Sequence, residues 1–332
     1  MINKEEVKNI LISRTDRLGD VILTLPLVTS VKNYFKDSKV YFLGKKYVED
    51  LIYDYKGIDE FVAMDSSDSF TKKLNIIKKK NIDLVISVKP EFDLALLFYF
   101  SGIKYRIGTG YRWYSFLYNN KVYEHRKVSD KHESEYNLNL IRTFFPAAGS
   151  EKEFYFSYSE DDKKRLNDKI SKDKFNPDKK YIVIHPGSSG SAKDLSFKKF
   201  TEIINMILVK FPFQNIVFTG LNNERELIMN ITEGIDVNFK NRTFDLSGKL
   251  DLRELLVLID NSDLFISNST GPIHIAGALN KNVIGFYPNE EAMSSRRWKP
   301  LGKNIVIISP AKGNNMESIQ SESVMESVEK FL

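Results

Sequence analysis

The sequence predicts an α/β protein of two facing, Rossmann-like halves, each a doubly wound parallel sheet, with a helix at the C-terminus. Three observations predict it. Short β-branched runs alternate with longer amphipathic ones along the whole chain, the mark of strands joined by right-handed helical crossovers. The chain has 332 residues, more than the roughly 250 to 300 that one hydrophobic core usually serves. A polar, lysine-rich stretch at 151–179, ending SKDKFNPDKK, interrupts the alternation in the middle and reads as a boundary. The expected domains are 1–160 and 175–332, the final helix being one that could return onto the first.

In order, the first half reads as strand KNILISR, a helix from Val21 to Phe35 opened at Asp20, strand KVYFLG and a helix from Lys45 to Tyr53. A helix over Phe70 to Lys80, strand DLVISV, an apolar helix from Phe92 and a helix through ESEYNLNLIRTFF complete it. The second half reads as strand YIVIHPG, a helix from Phe197 to Phe211, strand NIVFTG, a helix from Asn222 and the helix LRELLVLID. Strand DLFISN, a helix opened by Gly271, strands NVIGFYP and NIVIIS, and a helix over Met316 to Leu332 follow. Ligands of such sheets bind beyond the carboxyl ends of the strands, so the loops after KNILISR, YIVIHPG, NIVFTG and DLFISN are where chemistry belongs.

Composition narrows the function classes. With 42% hydrophobic and 28% charged residues the chain is globular. It has no cysteine, which excludes disulfides, thiolate-held metals and cysteine nucleophiles and suits a reducing compartment. The N-terminal MINKEEVKN lacks an apolar core, so a cytoplasmic location is expected. The net charge of +5 arises in residues 1–150, where 24 Lys and Arg face 19 Asp and Glu; the remainder balances at 25 each. Between Leu94 and Tyr123, Lys104, Arg106, Arg112 and Lys121 meet no acid and sit amid Tyr105, Tyr111, Trp113, Tyr114, Phe116 and Tyr118. Such a field favours an anionic partner; a solvated basic loop over an aromatic core is the plainer alternative.

Four loops can carry chemistry. SRTDRLGDVILTLP, 13–26, places Arg14, Arg17 and Asp20 after the first strand; Asp20 either charges a helix start or acts as a general base, and the arginines would attract an anionic acceptor or phosphate. IHPGSSGSAKDLSF, 184–197, offers Ser188, Ser189 and Lys193 to an anion, or is a flexible surface loop. FTGLNNERE, 218–226, puts Glu224 where it caps a helix or binds ribose hydroxyls. SNSTGPIHIAGAL, 267–279, sets Ser269, Thr270, Gly271 and Pro272 at a helix start with His274 one turn on. Free amides and a helix dipole there suit a diphosphate, although an ordinary capped helix would look the same. No D-x-D triplet, G-x-S-x-G elbow, G-x-G-x-x-G fingerprint or Walker A loop occurs, and the four histidines lack ligand spacing. No metal site is therefore expected.

Taken in this order, Gly19-Asp20-Val21 with Thr24 and Pro26, KHESEYNL from His132, His185-Pro186-Gly187 followed by Lys193, DLSGKLDLRELLVLI, and Thr270-Gly271-Pro272 with His274 resemble glycosyltransferase family 9, the lipopolysaccharide heptosyltransferases. The resemblance covers nearly the whole chain. It implies a glycosyltransferase B fold and an inverting transfer of heptose from ADP-heptose, with Asp20 as base and Lys193 steadying the leaving diphosphate. The donor would lie near Ser188, Ser189, Lys193, Glu224, Ser269, Thr270, Gly271 and His274. An anionic lipopolysaccharide-core or related glycan acceptor would meet Arg14, Arg17, Arg106 and Arg112. No cofactor, obligatory metal or nucleic acid partner is implied, and peripheral contact with the inner face of the cytoplasmic membrane is. One departure stands out: Ser269 replaces the aspartate usual before the Thr-Gly pair, which leaves open a different nucleotide-sugar donor. An epimerase or hydrolase of the same fold, and a silent sugar-nucleotide or glycan-binding protein, are the other readings.

Overall fold

The computed structural model describes residues 2–332 apart from Ser66, Ser150, Glu151, Ser189 and Ser191, with Lys127 described by its backbone alone. The chain forms two compact units, Met1–Ser157 and Tyr158–Leu332.

In the first unit, β1 (Asn9–Ser13), α1 (Leu18–Ile22), α2 (Leu25–Tyr34), β2 (Lys39–Gly44), α3 (Glu49–Ile52) and β3 (Glu60–Ala63) are followed by α4 (Phe70–Lys78) and β4 (Leu84–Ser87). Then come α5 (Phe92–Phe100), β5 (Tyr105–Thr109), β6 (Asn120–Val122) and α6 (Glu133–Arg142). The sheet runs β3-β2-β1-β4-β5-β6 with all neighbours parallel. In the second unit, α7 (Glu160–Ile170), β7 (Tyr181–His185), α8 (Phe197–Lys210), β8 (Asn215–Phe218), α9 (Arg225–Glu233) and β9 (Thr243–Asp245) lead to α10 (Leu252–Asp260) and β10 (Leu264–Asn268). There follow α11 (Gly271–Ala278), β11 (Val283–Phe286), α12 (Ser295–Trp298), β12 (Ile305–Ile308) and α13 (Ser321–Phe331). Its sheet, β12-β11-β10-β7-β8-β9, repeats the first topology, again all parallel.

In both sheets the chain reverses direction of growth beside its first strand, between β1 and β4 and between β7 and β10. Loops diverge at that switch point and leave space for a ligand. The central strands are apolar throughout because helices cover both faces: β4, β7, β8 and β11 are buried along their whole length.

Two expectations are corrected. The single helix over Val21 to Phe35 is two helices, since Pro26 has no amide hydrogen for the Ile22 carbonyl. The Thr24 hydroxyl donates to the Asp20 carbonyl at 2.8 Å, and the Asn137 amide donates to the Leu23 carbonyl at 3.0 Å. The stretch 151–179 holds the division between the units, after Ser157, but is not all linker: it also forms α7, capped by a reciprocal Ser159–Asp162 pair, with Leu166 and Ile170 buried. It is clamped to α10, where the Arg253 guanidinium donates to Asp162 at 3.2 Å and Lys169 to Glu254 at 2.6 Å. The final helix, α13, buries Val324, Met325 and Val328 in a core shared with α8 of its own unit.

Candidate active site

In the first unit, β1 ends at the switch point and the next residue is Arg14, whose backbone amide donates to the Leu43 carbonyl at 3.0 Å. Only 4% of its side chain is exposed. Nε donates to Asp16 at 2.7 Å, one terminal nitrogen donates to the Asp20 carboxylate, and the other donates to Glu133 at 3.2 Å and Asn137 at 3.4 Å. A second guanidinium, that of Arg126, donates to the same Glu133 and Asn137 oxygens at 2.7 and 3.2 Å. Three carboxylates thus share two guanidinium groups, one wholly buried, an arrangement stable only while every partner is present.

Asp20 is the third residue of α1. Arg17 holds the N-cap position without a side-chain cap, so Asp20 does not cap the helix; its carboxylate is turned to Arg14. Burial pushes the Asp20 carboxyl up to about 6, Arg14 opposes this, and the neighbouring charges of Asp16 and Glu133 add to it. A carboxylate that exchanges its proton near neutral pH is suited to general base work.

Two of the arginines expected at the acceptor are engaged within the protein. Arg14 is consumed by its three acids and holds Asp20. Arg106 is half-buried, donates to the Leu117 carbonyl at 2.8 Å and to the Ile103 carbonyl, and lies over the Tyr99 ring; it secures the start of β5. Arg17 and Arg112 are exposed. Arg112 lines a cavity of about 330 Å³ beyond the carboxyl ends of β4, β5 and β6, together with Tyr111, His125 and Arg126.

In the second unit, the register places Ser267 of β10 beside His185 of β7, so the serine-rich loop and the start of α11 emerge side by side. Asn268 ties them together: its amide donates to the Pro186 carbonyl at 2.6 Å and its carbonyl accepts from the Leu195 amide at 2.9 Å. His185 is buried, bonded to the Thr219 hydroxyl at 3.0 Å, and burial lowers it to about 4, with Glu224 opposing. It is neutral at physiological pH.

Glu224 is buried, accepts from the Leu221 amide at 2.8 Å and lies against Gly187. A Cβ at Gly187 would stand 2.2 Å from a Glu224 oxygen. Gly187→Ala should therefore displace the carboxylate and cost about 1 to 3 kcal/mol, read as a lower urea midpoint with an unchanged slope.

Ser188 donates to Asp194 at 2.9 Å, while Ser189 lies outside the described residues. Lys193 is exposed and paired with Glu290. Ser269 is bonded to the buried Tyr287 hydroxyl, which itself donates to the Trp298 carbonyl at 3.0 Å. Thr270 takes the extended N-cap conformation without spending its side chain on the cap. Gly271 and Pro272 open α11, whose first-turn amides have no helical acceptor, and His274 is buried one turn in. The structure thus gathers Ser188, Lys193 and Glu224 at the ends of β7 and β8 and Ser269 to His274 at the end of β10. Sequence reasoning missed Asn268 as the tie between these loops, and missed the Glu133–Arg126 pair although KHESEYNL had pointed at that helix. Among the described residues no three His, Asp or Glu are gathered as metal ligands.

Two parallel sheets in Rossmann order, with polar loops at both switch points, define an α/β protein of the glycosyltransferase B class. The family model for glycosyltransferase family 9 (heptosyltransferase) matches residues 70–329, and the chain belongs to that family and is a glycosyltransferase. A Haemophilus influenzae protein described only as a candidate glycosyltransferase is 30% identical, with 98% of this chain and 97% of that one covered. Lipopolysaccharide heptosyltransferase 1 of Campylobacter coli is 27% identical over 84% of this chain and 83% of its own. The fold matches the solved structure of Escherichia coli ADP-heptose lipopolysaccharide heptosyltransferase II with a TM-score of 0.83 at 17% identity, over 98% of both chains. A family 9 glycosyltransferase from Veillonella parvula gives 0.85 at 16%, over 98% of this chain and 97% of that one.

Proposed function

We propose that the protein is an inverting glycosyltransferase that moves heptose from ADP-heptose onto a hydroxyl of an anionic lipopolysaccharide-core or related glycan. The observation that carries this reading is Asp20, held at the β1 switch point by Arg14 with its carboxyl raised to about 6; the names of the relatives supply the sugar. Arg14 engages Oδ1, and Oδ2 takes the proton of the acceptor hydroxyl as its oxygen attacks the anomeric carbon. The bond from that carbon to the diphosphate breaks, and the departing charge is met by Lys193 and the amides at the start of α11. Ser188, Ser189, Ser269, Thr270 and His274 line the donor, Glu224 accepts from its ribose hydroxyls, and Arg17 and Arg112 meet the acceptor. Charge neutralisation by lysine and amides requires no metal.

Release of the nucleoside diphosphate, followed with ADP-heptose and a truncated lipopolysaccharide core, tests the reading. Release should depend on the acceptor, persist in EDTA, and fall as the pH drops through about 6, because Asp20 must be ionised to act. Release or epimerisation with donor alone would contradict it. The bond between Ser269 and Tyr287 favours one variant of the reading, a different donor sugar, since a neutral hydroxyl already engaged grips a sugar less strongly than a carboxylate.

The same reading includes peripheral membrane contact. No helix among the described residues is long and apolar enough to cross a membrane. Phe100, Trp113 and Phe116 are exposed by 54%, 74% and 68%, in the same segment as Lys104 and Lys121. Aromatic residues with lysines suit the boundary of an anionic bilayer. The protein should sediment with phosphatidylglycerol vesicles and much less with phosphatidylcholine vesicles, and equal behaviour would remove membrane contact from the account.

A further inference from the structure

The cavity beyond β4, β5 and β6 is joined to Asp20 by an unbroken chain of charges within the first unit. At its wall Arg112 is exposed and His125 stacks on Tyr111, ring centroids 4.0 Å apart. Among the described lining residues the one acid is Glu124, already engaged, accepting from Lys131 at 2.6 Å and Asn139 at 2.8 Å. Arg126 completes the wall, and its side chain is 24% exposed. Its inner side reaches Glu133, where it meets the same oxygen that Arg14 uses, and Arg14 in turn grips Asp20. A cavity of about 330 Å³ is the size of a small-ligand site, and two guanidinium groups with one aromatic wall are what a carboxylate or phosphate on a sugar ring requires.

We propose that this cavity binds an oxyanion through Arg112 and Arg126, and that Glu133 is a positioning residue through which the bound anion loosens the hold of Arg14 on Asp20. With the cavity empty, Glu133 divides its charge between two arginines. An oxyanion that draws Arg126 outward weakens its bond to Glu133 and leaves more of that charge to Arg14. Arg14 then shifts toward Glu133, and Asp20 loses part of the cation that lowers its affinity for a proton. The groups facing Asp20 fix the sign: Arg14 and Asp16 from the β1–α1 loop, Glu133 from α6, and the tyrosine hydroxyl of Tyr47 and the Arg17 charge at the rim. Arg14 alone among the close ones favours the carboxylate. Occupying the cavity thus makes Asp20 a stronger base only when an anionic acceptor is in place, and a neutral sugar or water gains nothing from it. The inference rests on Asp20 as the base; the loss of turnover in Asp20→Asn tests that separately.

The experiment follows the Asp20 carboxyl carbon by NMR through a pH titration of full-length protein labelled at aspartate, with Asp20→Asn to assign the signal. Inorganic phosphate and mannose 6-phosphate are added in separate arms, with sodium chloride matching ionic strength. Either oxyanion should move the Asp20 midpoint upward by on the order of one pH unit, and chloride should not. An effect of mannose 6-phosphate alone assigns the site to an oxyanion carried on a glycan; an effect of both assigns it to the oxyanion itself. In Arg126→Gln the midpoint should already be raised and the oxyanions should no longer move it. In Glu133→Gln the midpoint should fall, because a negative neighbour is gone and Arg14 is freed for Asp20. An Asp20 midpoint indifferent to both oxyanions in the unsubstituted protein overturns the proposal, whether or not the variants fold. So does an oxyanion response that survives Arg126→Gln.

Discussion

Asp20→Asn should lower turnover by roughly 10² to 10⁴, the usual contribution of a positioned general base, while donor affinity changes little. The amide keeps the size of the carboxylate and can still accept from Arg14 through its oxygen, but it cannot take a proton from an attacking hydroxyl. The nucleotide is expected to bind on loops of the second unit, built from Gly187, Asn268 and the start of α11, which the substitution does not touch. The kcat should fall with the dissociation constant for nucleotide preserved, and the acid limb of the pH profile near 6 should vanish with the group that produces it. Retained turnover would remove Asp20 from the mechanism and leave the family assignment intact.

Arg14→Met should be the most destabilising single change in the first unit outside the apolar core. The methionine fills much of the volume of the arginine stem but removes the guanidinium that Asp16, Asp20 and Glu133 share, leaving Arg126 bonded to Glu133. Removing one partner from a buried charge network costs about 3 to 5 kcal/mol, read as a lower urea midpoint. The sign of its pH dependence is fixed as well. Without Arg14 the Asp20 carboxyl, already raised by burial, is held further above its unfolded value, so its protonated form favours the native state. That contribution is present at low pH and is lost as the pH rises, so the deficit of the variant should be smaller at pH 5 than at pH 8. A deficit independent of pH would mean that lost packing, not unpaired charge, is the cause.

Much of this molecule was legible in its sequence, and the illegible parts share a cause. The strands that periodicity identified are central ones such as β1, β4, β7 and β10, whose apolar runs reflect burial on both faces. Those it missed, β3, β5, β6 and β9, are short and carry polar residues such as Glu60, Arg106, Lys121 and Asp245. Three of them are sheet edges, where one neighbour and solvent replace two neighbours and little apolar patterning is imposed. Helix α7 was hidden by its nine polar or charged residues among eleven positions in EDDKKRLNDKI; only Leu166 and Ile170 signal its buried side.

The candidate site divides the same way. Loops after central strands, and hence Asp20, Lys193, Glu224 and Gly271, follow from topology and local chemistry. What could not be read is which arginine faces solvent. Arg14, Arg17, Arg106 and Arg112 are alike in sequence, yet burial beside Asp16, Asp20 and Glu133 makes the first a strut for the base, and backbone carbonyls claim the third. The partner that closes the Arg14 cluster, Glu133, lies 119 positions away and leaves no local pattern.

The most direct test of the central claim, that this chain is a transferase using an ADP-linked sugar, is a thermal-shift comparison of ADP, UDP, GDP, CMP and ADP-heptose, each with and without EDTA. A ligand at about 100 times its dissociation constant stabilises the folded state by roughly 2.7 kcal/mol. Stabilisation by ADP, a larger one by ADP-heptose, and indifference to EDTA are expected; a preference for UDP, GDP or CMP, or no shift with any of the five, would show that the protein does not use an ADP-linked sugar.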